Sequence, residues 1–102
     1  MGYGNMAKMA QQMQAEMARV QAELDVLTVE GSSGGGAVAA IVNGHGELVS
    51  LTIDPEVVDP ADVEMLQDLV LTAVNETLRN VKQVTEEKMA RVTGGLRLPG
   101  MG

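Results

Sequence analysis

Few side chains in this sequence could carry out covalent chemistry. The 102 residues include no cysteine, three serines and one histidine, His45, which stands between two glycines. No second histidine, cysteine or acidic cluster is spaced to join His45 in a metal site or a proton relay. The acidic residues are spread over positions typical of solvent-facing surface. We therefore predict that the protein is not an enzyme and has no catalytic residue, metal, cofactor or small-molecule substrate.

A glycine-rich segment, residues 31–36, is the remaining feature that could suggest ligand chemistry. A phosphate-binding loop needs a following Gly-Lys-Ser/Thr and a helix whose N-terminal N–H groups point at the phosphate. Here neither follows, because the next residues are typical of a strand. The segment is therefore predicted to be a flexible turn or a bulged strand edge.

The charge of the chain is polarised along the sequence. The net charge is −7, which taken alone argues against a nucleic-acid partner. However, residues 1–78 contain two basic and twelve acidic residues, whereas residues 79–102 contain five basic and two acidic residues. The helical distance from Asp68 to Arg79 is about 16 Å, which exceeds the screening length of about 10 Å in 0.1 M salt. The C-terminal end can therefore present its own positive field.

Two long helices are predicted to hold these charges. The first covers residues 5–25 approximately, and its apolar residues repeat every seven positions in two offset series. These series are Tyr3, Ala10, Met17 and Leu24, and Met6, Met13, Val20 and Leu27. The second helix is predicted at about residues 60–93, with Asp59 as N-cap, Pro60 in the first turn and a stop at Gly94 and Gly95.

Between the helices, residues 26–53 are predicted to form three antiparallel strands. Asn43-Gly44 is a favoured hairpin signal because both residues tolerate positive φ. In the third strand Val49, Leu51 and Ile53 alternate with polar residues, which predicts one buried face. Asp54 and Glu56 are expected to cap a single turn, and residues 96–102 are expected to form a flexible tail. The predicted fold is α+β, with α-β-β-β-α order in one domain, residues 1–102.

The second helix is too long for the rest of the chain to cover. It would reach about 50 Å, whereas a six-residue strand covers about 20 Å. Its apolar stripe therefore predicts a homodimer, although the pattern leaves open which helix forms the interface. The predicted interface residues are Met6, Met13, Met17, Val20, Leu24, Val81, Val84 and Met89. The sequence contains no membrane span or secretory signal pattern, which favours a cytoplasmic protein.

Several short segments together resemble the YbaB/EbfC family of bacterial nucleoid-associated proteins. They are Gly4-Asn5-Met6, Gln11-Gln12-Met13-Gln14, Val29-Glu30-Gly31, Gly34-Gly35-Gly36, Ile53-Asp54-Pro55, Glu64-Met65-Leu66-Gln67-Asp68-Leu69, Ala73-Val74-Asn75, Thr93-Gly94-Gly95-Leu96 and Pro99-Gly100. Their order and spacing extend over nearly the whole chain. The resemblance implies a homodimer in the nucleoid that binds double-stranded DNA through its helical arms, with little sequence preference, and that contributes to nucleoid organisation and gene regulation.

The basic residues are the candidates for DNA contact that this resemblance implies. They are Arg79, Lys82, Lys88, Arg91 and Arg97 near the C-terminus, and Lys8 and Arg19 in the first helix. Arg79 and Arg97 are favoured because neither has an obvious acidic neighbour, whereas Lys82–Glu86 and Glu87–Arg91 are spaced to neutralise one another. The first helix is rich in glutamine and has fewer lysines than is usual in the family, so we expect fewer contacts there. The alternative is a non-catalytic adaptor that binds other proteins of replication, recombination or repair.

Overall fold

The computed structural model describes residues 2–94, with the side chains of residues 4–92. The order of elements is α1 (Gly2–Val26), β1 (Thr28–Ser33), a short 3-10 turn (Gly34–Gly36), β2 (Val38–Asn43), β3 (Leu48–Ile53), a second 3-10 turn (Pro55–Val57) and α2 (Val63–Gly94). The strands form one antiparallel sheet in the order β1-β2-β3. The predicted α-β-β-β-α architecture is confirmed. Arg97 and the predicted tail, residues 96–102, lie outside the described residues.

The central strand of the sheet, β2, is buried on one face. Val38, Ala40 and Val42 are fully buried on one face, while the residues between them are only partly covered. Pairing sets Gly31 and Leu51 on either side of Ala40. Because side chains alternate between the two faces of a strand, these residues share the face that α2 covers.

The β2–β3 hairpin forms where it was predicted, but by a different backbone conformation. Positive φ falls on Gly46, at 81°, and on neither Asn43 nor Gly44. Asn43 acts through its side chain, whose Oδ1 accepts hydrogen bonds from the N–H groups of His45 and Glu47, at 2.9 and 3.0 Å. The turn is therefore fixed by an asparagine side chain and one left-handed glycine.

The start of α2 differs from the prediction. Asp59 accepts a hydrogen bond from the Ala61 N–H in a separate turn, and α2 begins at Val63. The N-cap is Asp62, whose Oδ1 accepts from the N–H of Met65 at 3.2 Å. The prediction that Asp59 caps α2 is wrong, because two aspartates three residues apart offer the same cap and the earlier one closes a turn instead. The preceding turn is as predicted, with Asp54 accepting from the Glu56 N–H at 2.9 Å.

The helix α2 packs across β1 and β2 and leaves β3 largely uncovered. Gly31 permits this close approach, because a Cβ at residue 31 would collide with the hydroxyl of Thr77 and lie 3.1 Å from its Cα. Thr77 is fully buried, and its hydroxyl donates to the carbonyl oxygen of Ala73 at 2.7 Å. A second tie joins Ser33 Oγ to the Leu69 carbonyl oxygen at 2.5 Å.

The chain from α1 into β1 runs antiparallel to α2. Glu23 lies beside Lys88 and Arg91, Gly31 beside Thr77, and Ser33 beside Leu69. Where the helices meet, Val20, Leu24 and Val92 form a small buried cluster. The first part of α1 therefore extends past the described end of α2, and residues 4–15 are exposed all round. The molecule is 73 Å long and only 16 Å thick in its narrowest direction.

Candidate nucleic-acid interface

The fold divides the charges into two regions. We call residues 25–81 the sheet end, since they include the three strands and the part of α2 packed on them; the arms are residues 2–24 of α1 and 82–94 of α2. The sheet end contains ten acidic residues and one basic residue, Arg79. The arms contain five basic and four acidic residues. A polyanion is therefore repelled by the sheet end much more strongly than by the arms.

Arg79 does not have the free charge that the sequence suggested. Its Nη2 lies 2.9 Å from Glu76 Oε2, in a pair spaced three residues apart on the surface of α2. The expectation that Arg79 lacks a local acid is therefore wrong, since a helix brings residues i and i+3 together as readily as i and i+4. Arg79 also stands within the acidic sheet end.

Lys88 and Arg91 face α1 and share one carboxylate. Glu23 Oε1 lies 3.7 Å from Lys88 Nζ and 3.8 Å from Arg91 Nη1. The side chain of Lys88 is only 18% exposed, because it lies on the face of α2 that packs against α1. The expected pairing of Arg91 with Glu87 is not formed in the described structure, where Glu87 accepts a hydrogen bond from Gln83 instead.

The most accessible positive charges are on residues that the sequence ranked lower. Lys8 and Lys82 are exposed and form no ion pair within the described residues. Lys8 is also the only charged side chain among residues 1–15. Arg19 is exposed and paired with Glu16, three residues earlier in the same helix.

These α1 residues lie on one side of the helix. Lys8, Gln12 and Arg19 are spaced four and seven residues apart, which places them on one ridge. The exposed methionines of α1 follow the same spacing about a third of a turn away, in line with Val20 and Leu24. The polar ridge and the methionine stripe are therefore separate surfaces of the same arm.

The residues predicted for a dimer interface fall into two groups. Val20, Leu24 and Val81 are buried within the chain itself, and Val84 is half-buried. Met6, Met13, Met17 and Met89 are exposed. The sheet adds an apolar surface that the sequence analysis missed, because Leu48 and Leu51 on β3 are 47% and 40% exposed. Alternation predicted a buried face on β3, but it could not show that α2 lies over the other two strands.

Within the described residues, no helix is long and apolar enough to cross a membrane. Over the same range, no three histidine, cysteine, aspartate or glutamate side chains converge on a point where a metal ion could bind. The polar side chains of the arms include amides, ammonium groups and guanidinium groups. These are the groups that contact phosphate oxygens in complexes with nucleic acids.

Comparison with known proteins decides the family. The model of the YbaB/EbfC DNA-binding family matches residues 1–96. The chain belongs to the YbaB/EbfC DNA-binding family. A nucleoid-associated protein of Caldanaerobacter subterraneus subsp. tengcongensis is 57% identical over 97 residues, covering 95% of this chain and 87% of that protein. A nucleoid-associated protein of Moorella thermoacetica is 55% identical over 103 residues, covering 98% and 99% of the two chains.

Membership of the YbaB/EbfC family confirms the resemblance seen in the short sequence segments. The fold agrees with that of an uncharacterized protein from Helicobacter pylori, whose crystal structure has a TM-score of 0.74, 25% sequence identity, and coverage of 91% of this chain and 98% of that one. The family description and the names of the relatives indicate a family of DNA-binding, nucleoid-associated proteins, which is not a catalytic family.

Proposed function

We propose that this protein binds double-stranded DNA as a homodimer, through phosphate contacts made by its arms, with little sequence preference. The DNA-binding activity follows from the family, and the nucleoid-associated relatives support a part in nucleoid organisation and a place in the nucleoid. The observation that carries the choice of surface is the separation of charge. The sheet end has nine more acidic than basic residues, whereas the arms have one more basic than acidic residue within the described part of the chain.

The exposed cations of the arms suit contact with a phosphate backbone. Lys8 and Arg19 are eleven residues apart on one ridge, a helical distance of about 16 Å. Lys82 adds a third exposed charge on α2. Side chains that neutralise phosphates release condensed counterions, and this contribution to affinity is independent of base sequence. The chain contains one aromatic residue, so stacking on the unpaired bases of single strands contributes little.

The homodimer is supported by the apolar surface that the protomer leaves exposed. Leu48 and Leu51 on β3, Leu71 on α2, and the methionine stripe of α1 stay accessible in the single chain. Exposed apolar side chains in this number are typical of interaction surfaces, and a second copy would cover them with matching chemistry. Val20, Leu24 and Val81 are already buried, so we assign the interface to the exposed residues of the predicted set together with β3.

A salt series tests the DNA contact. Fluorescence anisotropy with a labelled duplex, from about 50 to about 300 mM KCl, should give a log–log slope near −5, because three cations per protomer make about six phosphate contacts per dimer. Two duplexes of unrelated sequence should bind with similar affinity. Failure to bind any duplex at the lowest salt concentration would overturn the proposal and favour the protein-binding adaptor.

A further inference from the structure

One of the four acidic residues of the arms, Glu23, lies between two of their basic side chains. Glu23 is on the side of α1 that faces α2, and its Oε1 is shared between Lys88 Nζ and Arg91 Nη1. Building on the proposed DNA contact, we infer that Glu23 limits DNA affinity by neutralising Lys88 and Arg91, occupying the position that a DNA phosphate would otherwise take. Glu23 acts as a counter-charge within the fold and makes no contact with DNA itself.

The contacts of Lys88 and Arg91 with Glu23 leave both cations able to turn towards another anion. Both distances, 3.7 and 3.8 Å, exceed the length of a hydrogen bond, so the two cations are attracted by Glu23 without being locked to it. Lys88 is mostly covered, but its four-carbon stem allows the ammonium group to turn outward while the stem stays packed. Arg91 is 57% exposed and already borders solvent.

The same geometry makes Glu23 a poor stabiliser of the helix pair. Its second oxygen, Oε2, is buried and has no hydrogen-bond partner among the described residues. A buried acceptor without a partner costs free energy, and the ion pair with the exposed Arg91 adds little in return. The clear effect of Glu23 is therefore the cancellation of nearby positive charge. Glutamine has nearly the same shape without the charge, so Glu23→Gln removes the charge and keeps the size of the side chain.

The test compares two variants that each remove one negative charge from the same arms. Glu23→Gln should bind a duplex at least about tenfold more tightly at 0.1 M salt, and the log–log salt slope should steepen from about −5 towards −8 or −9, because up to two further phosphates per protomer are contacted. Glu86→Gln is the matched control, since Glu86 is exposed on α2 and has no ion pair in the described structure. It should produce a smaller gain and no comparable change in slope.

A protein that lacks the charges of Lys88 and Arg91 tests whether Glu23 acts through these two cations. In a Lys88→Gln/Arg91→Gln protein, adding Glu23→Gln should raise duplex affinity by no more than Glu86→Gln does. The two cations that Glu23 neutralises are absent from this protein. Equal gains for Glu23→Gln and Glu86→Gln in the wild-type background would overturn the inference while leaving DNA binding intact. Absence of duplex binding by both the wild type and Glu23→Gln would instead overturn the proposed function. Thermal unfolding of each variant separates these results from a loss of fold.

Discussion

The sheet end and the arms of this protein differ in both packing and charge. At the sheet end, α2 packs so closely on β1 that Gly31 has no room for a side chain. This end contains ten acidic residues and one basic residue. In the arms, α1 is covered only near Val20 and Leu24, and residues 4–15 are exposed on every side. The same chain therefore combines a closely packed region with a region whose surface is largely exposed.

This difference shows how an acidic protein can bind a polyanion. Repulsion from the sheet end is weak at the arm tips, because the tips lie more than one screening length away in a molecule 73 Å long. The net charge of −7 describes the whole chain and not the surface that DNA would meet. The elongated shape matters for function, since it allows opposite local fields to coexist in 102 residues.

A charge at Leu51, where α2 leaves β3 uncovered, should have the largest effect. Leu51→Glu should weaken the dimer by about 4 kcal/mol, roughly a thousandfold in dissociation constant, because an interface would bury an unpaired carboxylate from each copy. Sedimentation equilibrium should then give the 10.7 kDa of one chain at concentrations where the wild type is twice that mass. Ser50→Glu, on the opposite face of the strand, is the control and should stay dimeric. An unchanged Leu51→Glu dimer would place the interface elsewhere.

A packing change at the sheet end should have the next largest effect. Gly31→Ala should lower the free energy of unfolding by about 2 to 3 kcal/mol, because its methyl group would overlap the Thr77 hydroxyl and α2 would have to move outward. Chemical denaturation measures the change, and Thr77→Ala in the same protein should restore part of it. Ser32→Val, at the exposed neighbouring position of β1, should be neutral. Equal stability of Gly31→Ala and the wild type would contradict the close approach of α2.

Removing a single positive charge from the arms or from the sheet end should have the smallest effect. Lys8→Gln should make the salt slope less steep by about 2 and weaken duplex binding roughly tenfold at 0.1 M salt, because the dimer loses two phosphate contacts. Arg79→Gln should leave both quantities unchanged, since Arg79 belongs to the acidic sheet end. Both variants are compared by anisotropy titration. A larger loss for Arg79→Gln than for Lys8→Gln would reverse the assignment of the two regions.

The sequence alone predicts most of the fold because its signals are local. The heptad repeat of α1, the alternation of β3 and the Asn43-Gly44 turn each depend on residues close together in the chain. The start of α2 was misplaced since Asp59 and Asp62 are equally good caps, and only the surrounding backbone selects between them.

The candidate site was harder to predict because it depends on contacts between distant residues. The pairing of Lys88 and Arg91 with Glu23 joins positions more than sixty residues apart, and no spacing rule indicates it. The pairing of Arg79 with Glu76 is local and could have been expected from the i, i+3 rule. The exposure of Leu51 depends on where α2 crosses the sheet, and the sequence of β3 does not indicate this position.

NMR can show which residues of the protein contact DNA. A short duplex would be added to the isotope-labelled protein at low salt, and the amide signals followed residue by residue. We expect the signals of residues 4–19 and 82–92 to shift, while those of the strands and of residues 63–76 in α2 stay in place. Shifts concentrated in the strands or in the first half of α2, with the arms unaffected, would contradict the account.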